Sequence, residues 1–143
     1  MVVSAGLDGG NGVVSMVERV FKARPGLDIH YRLQTPKYDC QHLLIVMSGF
    51  NIPDPTIYDF EMLSHCRSTI LWIKDDFNGL PAYYLCNNMK FEIEQGVSTL
   101  IDAIIHAVKP KYTSILGASK GGSASLYYGI KHKIKNIVSC VPQ

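Results

Sequence analysis

Near its C-terminus the chain reads "YTSILGASKGGSASLYYG", Tyr112 to Gly129. An apolar run long enough for a strand ends at a serine framed by glycines, and helix-forming residues follow at once. The "GASKGG" segment fits G-x-S-x-G at a strand-to-helix junction, the context of a nucleophile elbow, in which the serine holds a strained backbone geometry. Side chains two residues before and after such a serine collide with neighbouring backbone, so glycine is needed at both places. Gly117 and Gly121 stand there, and Gly122 lets the helix pack close to the sheet. Ser119 is then a candidate nucleophile. The N–H of Lys120, at a helix N-terminus with its positive dipole end, is a candidate oxyanion donor. The alternative is a glycine-rich turn in which Ser119 only caps the helix.

An oxyanion hole needs a second donor, normally an N–H in the loop after an earlier strand. "HLLIVMSGF", His42 to Phe50, is a continuous apolar run that predicts a buried strand ending at Ser48-Gly49. Gly49 and Phe50 are the candidates there, and an ordinary strand-ending turn is the competing reading. "LDIHYRLQ" alternates as a strand does, and "TIYDFEMLSHC" suits a short helix. "STILWIKDD" predicts a second buried strand, closing on Asp75 and Asp76 before the Asn78-Gly79 turn signal. Helical spacing runs from about Lys90 to Val108 and stops at Pro110, and "NIVSCV" predicts a last strand. Strands alternating with helices predict a mostly parallel sheet covered by helices on both faces.

The first 26 residues read as a leader with a glycine-rich patch, Gly6 to Gly12, and a helical run before Pro25-Gly26; residues 27–143 read as the domain. The patch fits neither phosphate-loop spacing, and no strand precedes it. A formal net charge of +2 with scattered basic residues gives no electrostatic case for nucleic acid. Cys40, Cys66, Cys86 and Cys140 lie far apart with no CxxC pair, which argues against a zinc site or a disulfide framework and for a reducing cytoplasm. There is no signal-peptide pattern, and no apolar run reaches the roughly 18 residues of a membrane span.

"ILGASKGGSASLYYGIKHKIKNIVSCVPQ" resembles the core of bacterial polysaccharide O-acetyltransferases with an α/β-hydrolase fold. That group includes capsule O-acetyltransferases, capsular polysaccharide biosynthesis proteins of the XcbB/CpsF type and the acetyltransferase of the accessory Sec system. Its marks are a G-[AS]-S-K-G-G elbow, an apolar-apolar-Pro-Gln step, an S-[GA]-F loop, and an aspartate-ended strand followed by G-x-x-x-Y-Y. Val141-Pro142-Gln143, Ser48-Gly49-Phe50, Asp75 and "GLPAYY" (Gly79 to Tyr84) are comparable. The resemblance covers about Leu43 to Gln143 and implies acyl transfer. Ser119 would attack a donor such as acetyl-CoA, with no bound cofactor or metal, and a glycan hydroxyl would accept the acyl group. Gly49, Phe50 and Lys120 would line the oxyanion site, and Asp75 would order a loop. A homo-oligomer or a place in a biosynthesis complex stays open.

A serine nucleophile needs a base oriented by a carboxylate, and in α/β-hydrolases both follow the elbow. After Ser119 the only histidine is His132, and there is no Asp or Glu. His132 lies about a dozen residues along the same helix, roughly 20 Å away at about 1.5 Å per residue. His42, His65 and His106 fall at strand starts or a helix end remote from the elbow by topology, and His30 lies in a strand whose place in the sheet the sequence leaves open. The chain therefore reads as the N-terminal part of a larger domain, ending after the strand that follows the elbow helix, with acid and histidine beyond Gln143. The alternatives are a non-catalytic partner-binding module in capsule or glycoprotein biosynthesis or export, and a phosphate-cradling domain.

Overall fold

The computed structural model describes residues 17–36, 38–49, 58–77 and 82–143. Its sheet contains β1 (Glu18–Arg24), β2 (Leu27–Gln34), β3 (His42–Met47), β4 (Thr69–Ile73), β5 (Tyr112–Ala118) and β6 (Asn136–Cys140), in the order β1-β2-β4-β3-β5-β6. β4, β3, β5 and β6 run parallel, while β2 pairs antiparallel with both β1 and β4. Among the described residues there are also two α-helices, α1 (Glu92–Val108) and α2 (Lys120–Lys131), and a 3₁₀ helix at Glu61–His65.

The helical reading of the segment before Pro25 is corrected here, because Glu18–Arg24 is strand β1. Gly26, at φ 79°, makes the turn into β2, and Phe21 and Ala23, two apart as on one face of a strand, pack against the core. β1 is hydrogen-bonded to β2 in one sheet, so a division between residues 26 and 27 falls inside a hairpin. The patch Gly6 to Gly12 lies outside the described residues.

β3 and β4 are buried on both sides, which explains their unbroken apolar sequence. On one face, Leu43, Ile45, Met47, Leu71, Ile73 and Ile115 join Val97, Leu100 and Ile101 of α1 and Ala124 and Tyr128 of α2. On the other, Leu44, Val46, Ile70 and Trp72 pack with Tyr58, Phe60 and Leu63 around the 3₁₀ helix. Helical segments thus meet both faces unequally: both α-helices share one, and the other receives a single short 3₁₀ helix among the described residues. Fully burying one such aliphatic side chain contributes about 1.5–3 kcal/mol, so this two-sided core holds the parallel strands rigidly. That rigidity fixes the positions of their carboxyl ends, which carry Ser48-Gly49, Asp75 and Ser119.

Candidate active site

Ser119 sits between β5 and α2 with φ 53° and ψ −124°. That is the conformation of the first central residue of a type II′ turn, a place that favours glycine, and a serine held there costs about 1–3 kcal/mol. Ser119 occupies the N-cap position of α2, yet its side chain makes no capping hydrogen bond. The reading in which it only caps the helix therefore lacks the bond that defines it. Its backbone is pinned instead: the N–H donates to Cys140 O of β6 at 2.9 Å, and the carbonyl accepts from Ser123 N–H at 3.1 Å.

The surrounding glycines are where close packing demands them. A Cβ on Gly117 would lie 2.1 Å from Gly121 O, one on Gly121 would lie 2.1 Å from Met47 O, and one on Gly122 would lie 2.8 Å from Cys140 O. The turn is wedged among the ends of β3, β5 and β6, and larger residues would push it out. Ser119 is itself half-buried, and Lys120 follows as the first residue of α2.

Gly49 packs against the same turn, since a Cβ there would meet Ala118 O at 3.0 Å. Its N–H donates to Asp59 Oδ2 at 3.0 Å, and Asp59 N–H donates back to Ser48 Oγ at 3.3 Å. The Gly49 N–H thus has a carboxylate partner rather than an open path to substrate. Phe50 lies outside the described residues.

Lys120 and Asp75 form a buried ion pair, Nζ to Oδ2 at 2.7 Å, with side chains 4% and 1% exposed. The Asp75 carboxylate also accepts backbone N–H bonds from Ala82, Tyr83 and Tyr84 at 3.0–3.2 Å. The Tyr84 phenol donates to Ser48 O at 2.8 Å and Ile73 O at 3.0 Å, joining this loop to the ends of β3 and β4. Burial first, then the Asp75 charge, pushes the Tyr84 phenol well above its usual range, so it remains a donor. On the outer side, Tyr83 OH donates to Gln143 Oε1 at 3.3 Å, and Ser123 and Gln143 exchange hydrogen bonds.

The histidines are engaged elsewhere. His132, at the C-cap of α2, places Nε2 2.9 Å from Ser98 Oγ and Nδ1 2.9 Å from Asp102 Oδ1. His42 bridges Ser68 and Ser114 at 2.8 and 2.9 Å, and His30 lies 3.9 Å from Glu18. His65 and His106 close the last turns of their helices. A cavity of about 440 Å³ lined by Leu33, Cys40, Thr69 and Lys111 opens at the other end of the parallel strands, away from Ser119.

Among the features that sequence reasoning passed over, Asp59 carried no motif. The burial of the Lys120 side chain was also unmarked, because lysine is ordinarily a surface residue. The Ser98–His132–Asp102 cluster had one signal, the i, i+4 spacing of Ser98 and Asp102 on an amphipathic helix.

No protein family and no curated protein matches the chain by sequence. Solved structures do match, and together they define an α/β-hydrolase fold. The capsule O-acetyltransferase of Neisseria meningitidis serogroup A superposes with a TM-score of 0.66 at 22% identity, over 94% of this chain and 54% of that one. Est1E from Butyrivibrio proteoclasticus gives 0.61 at 15% identity, over 87% and 51%. The S-formylglutathione hydrolase of Staphylococcus aureus gives 0.58 at 10%, over 90% and 57%. The chain spans about half the length of these structures. No helix among the described residues is long and apolar enough to cross a membrane.

Proposed function

We propose that this chain carries the nucleophile half of a serine acyl-transfer site, with Ser119 as the attacking residue. The observation that carries the reading is the backbone of Ser119, a strained non-glycine conformation with no capping bond, walled in by glycines at the strand–helix turn. Strain of this kind persists only where the surroundings over-determine it, and it gathers at functional sites.

In the proposed reaction Ser119 Oγ attacks the carbonyl carbon of an acyl donor such as acetyl-CoA and gives its proton to a base. The Lys120 N–H, at the start of α2, stabilises the oxyanion. The tetrahedral intermediate expels the thiol, which takes up that proton and leaves an acyl-serine. A glycan hydroxyl then attacks the ester carbonyl and gives its proton to the base; the Ser119 Oγ–acyl bond breaks, the base returns the proton to Oγ, and the acyl group leaves on the glycan oxygen. The base and its carboxylate partner lie outside the described residues, since the described histidines have other partners or stand at helix ends remote from Ser119. The capsule O-acetyltransferase among the structural neighbours supports the transfer reading, and the hydrolases beside it support the same acyl chemistry ending on water.

A fluorophosphonate probe tests the reading on the natural polypeptide that carries this sequence. Covalent labelling that disappears in Ser119→Ala is expected, followed by a mass shift of one acetyl group on incubation with acetyl-CoA. An unlabelled wild type in a polypeptide that contains further Asp and His residues sinks acyl chemistry and leaves the partner-binding reading. Labelling without an acetyl-enzyme sinks the transferase half.

A further inference from the structure

We propose that the Lys120 side chain and Asp75 position Ser119, holding the elbow turn through a buried ion pair anchored in the 82–84 loop. The inference rests on the acyl-transfer reading for its catalytic consequence, but the contacts stand without it.

Lysine is almost never fully buried unless it is paired, and Lys120 is only 3% exposed. Its partner is more than a counter-ion. Tyr83 and Tyr84 both adopt left-handed backbone, at φ 53° and 58°, and with Ala82 they turn three successive N–H groups toward one point. Such a backbone concavity binds an anion, and here it holds the Asp75 carboxylate. Asp75 sits two residues past the end of β4, so the loop is fastened to the central sheet. Tyr84 adds its phenol on the carbonyls of Ser48 and Ile73, and its ring centre lies 5.9 Å from the Lys120 ammonium. Lys120 thus ties the residue next to the nucleophile to the ends of β3 and β4.

The glycine contacts hold Ser119 from the sheet below, through Met47, Gly117 and Cys140. The ion pair holds it from the loop side. Stability alone does not explain the choice, since well-packed apolar residues often replace a buried ion pair at no cost. A fixed orientation is what the pair adds. It makes the strained Ser119 conformation the single one available when α2 begins.

The test uses Lys120→Met, Asp75→Asn and the double variant in the natural polypeptide. Saturating fluorophosphonate kinetics separate the chemical step from probe binding. Each single variant is expected to slow the first-order labelling step by about tenfold or more, as misplacement of a reacting group by even about 1 Å does. The half-saturating probe concentration should stay unchanged, and the double variant should be no slower than the slower single. Labelling per folded molecule that matches wild type in both singles overturns the proposal, whatever their melting temperatures. A second readout does not need an active serine. Amide hydrogen exchange should accelerate together in peptides covering 82–86 and 117–124 in either single variant. Unchanged exchange at 117–124 overturns the proposal even if the wild type never labels, whereas an unlabelled wild type with accelerated exchange there supports it and removes only the acyl reading.

Discussion

The carbonyl oxygen of Met47, the last residue of β3, stands 2.1 Å from where a Cβ on Gly121 would lie. Neither atom can yield, because one belongs to a central strand and the other to the first turn of α2. Gly121→Ala should therefore cost about 3 kcal/mol or more, at the upper end of overpacking penalties. Gly26→Ala is the control: its site is open, but φ 79° is uncomfortable for alanine, so about 1 kcal/mol is expected. Urea unfolding of both variants measures the difference, and a Gly121→Ala protein as stable as wild type would refute the close approach.

Ser119 carries its strain in the native state, so removing that strain should stabilise the fold. Glycine at this position accepts φ 53° without penalty but loses about 0.4–1 kcal/mol to a freer unfolded chain. Against about 1–3 kcal/mol of relieved strain, Ser119→Gly should gain about 1 kcal/mol. Ser119→Ala keeps the strain and should lie close to wild type. Both should lose fluorophosphonate labelling. A glycine variant less stable than the alanine variant would mean the turn is not strained.

Much of this arrangement is written locally. β3 and β4 are legible as unbroken apolar runs because strands buried on both faces need no polar alternation, and the glycine spacing of the elbow states its own steric reason. β1 was not legible as a strand. Val20 is exposed despite being apolar, so "ERVFKAR" shows no clean alternation, and only pairing with β2 across the Pro25-Gly26 turn settles it. The site divides the same way. Ser119 and its glycines are near neighbours in sequence, whereas Asp75 reaches Lys120 across 45 positions and Asp59 reaches Gly49 across 10 positions with no motif. Long-range polar contacts leave no periodicity behind, which is why the buried role of Lys120 emerged only from the fold.

His132 offers a separation of structure from chemistry. Its side chain is 6% exposed and joins α2 to α1 through Ser98 and Asp102, with Tyr128 stacked at 6.2 Å between ring centres. His132→Ala leaves the buried Ser98 hydroxyl without that partner and opens a small void, for an expected loss of about 1–3 kcal/mol. The rate of Ser119 labelling per folded molecule should not change. Thermal unfolding and probe kinetics on the same preparation decide the point, since a full loss of labelling with stability intact would assign His132 to the site.

Alkaline titration should reveal the core through three phenols. Tyr58, Tyr84 and Tyr128 all have pKa values raised above the ordinary 10.0, in each case first by burial. The Glu18 carboxylate that accepts the Tyr58 proton adds to the effect, as do the charges of Asp75 near Tyr84 and Glu94 near Tyr128. The folded state therefore keeps protons that the unfolded chain releases. Their contribution to stability is complete below about pH 10 and is lost as pH rises beyond it toward the folded-state values. Three tyrosinates should accordingly appear in one cooperative step, together with loss of the helical circular-dichroism signal. Tyr84→Phe should remove one third of that step's near-ultraviolet amplitude. It should also lower stability at neutral pH by about 1–2 kcal/mol, because the Ser48 carbonyl loses a buried donor. Tyrosinate absorbance from these three residues rising while the helical signal is intact would show that they are open to solvent in the folded protein.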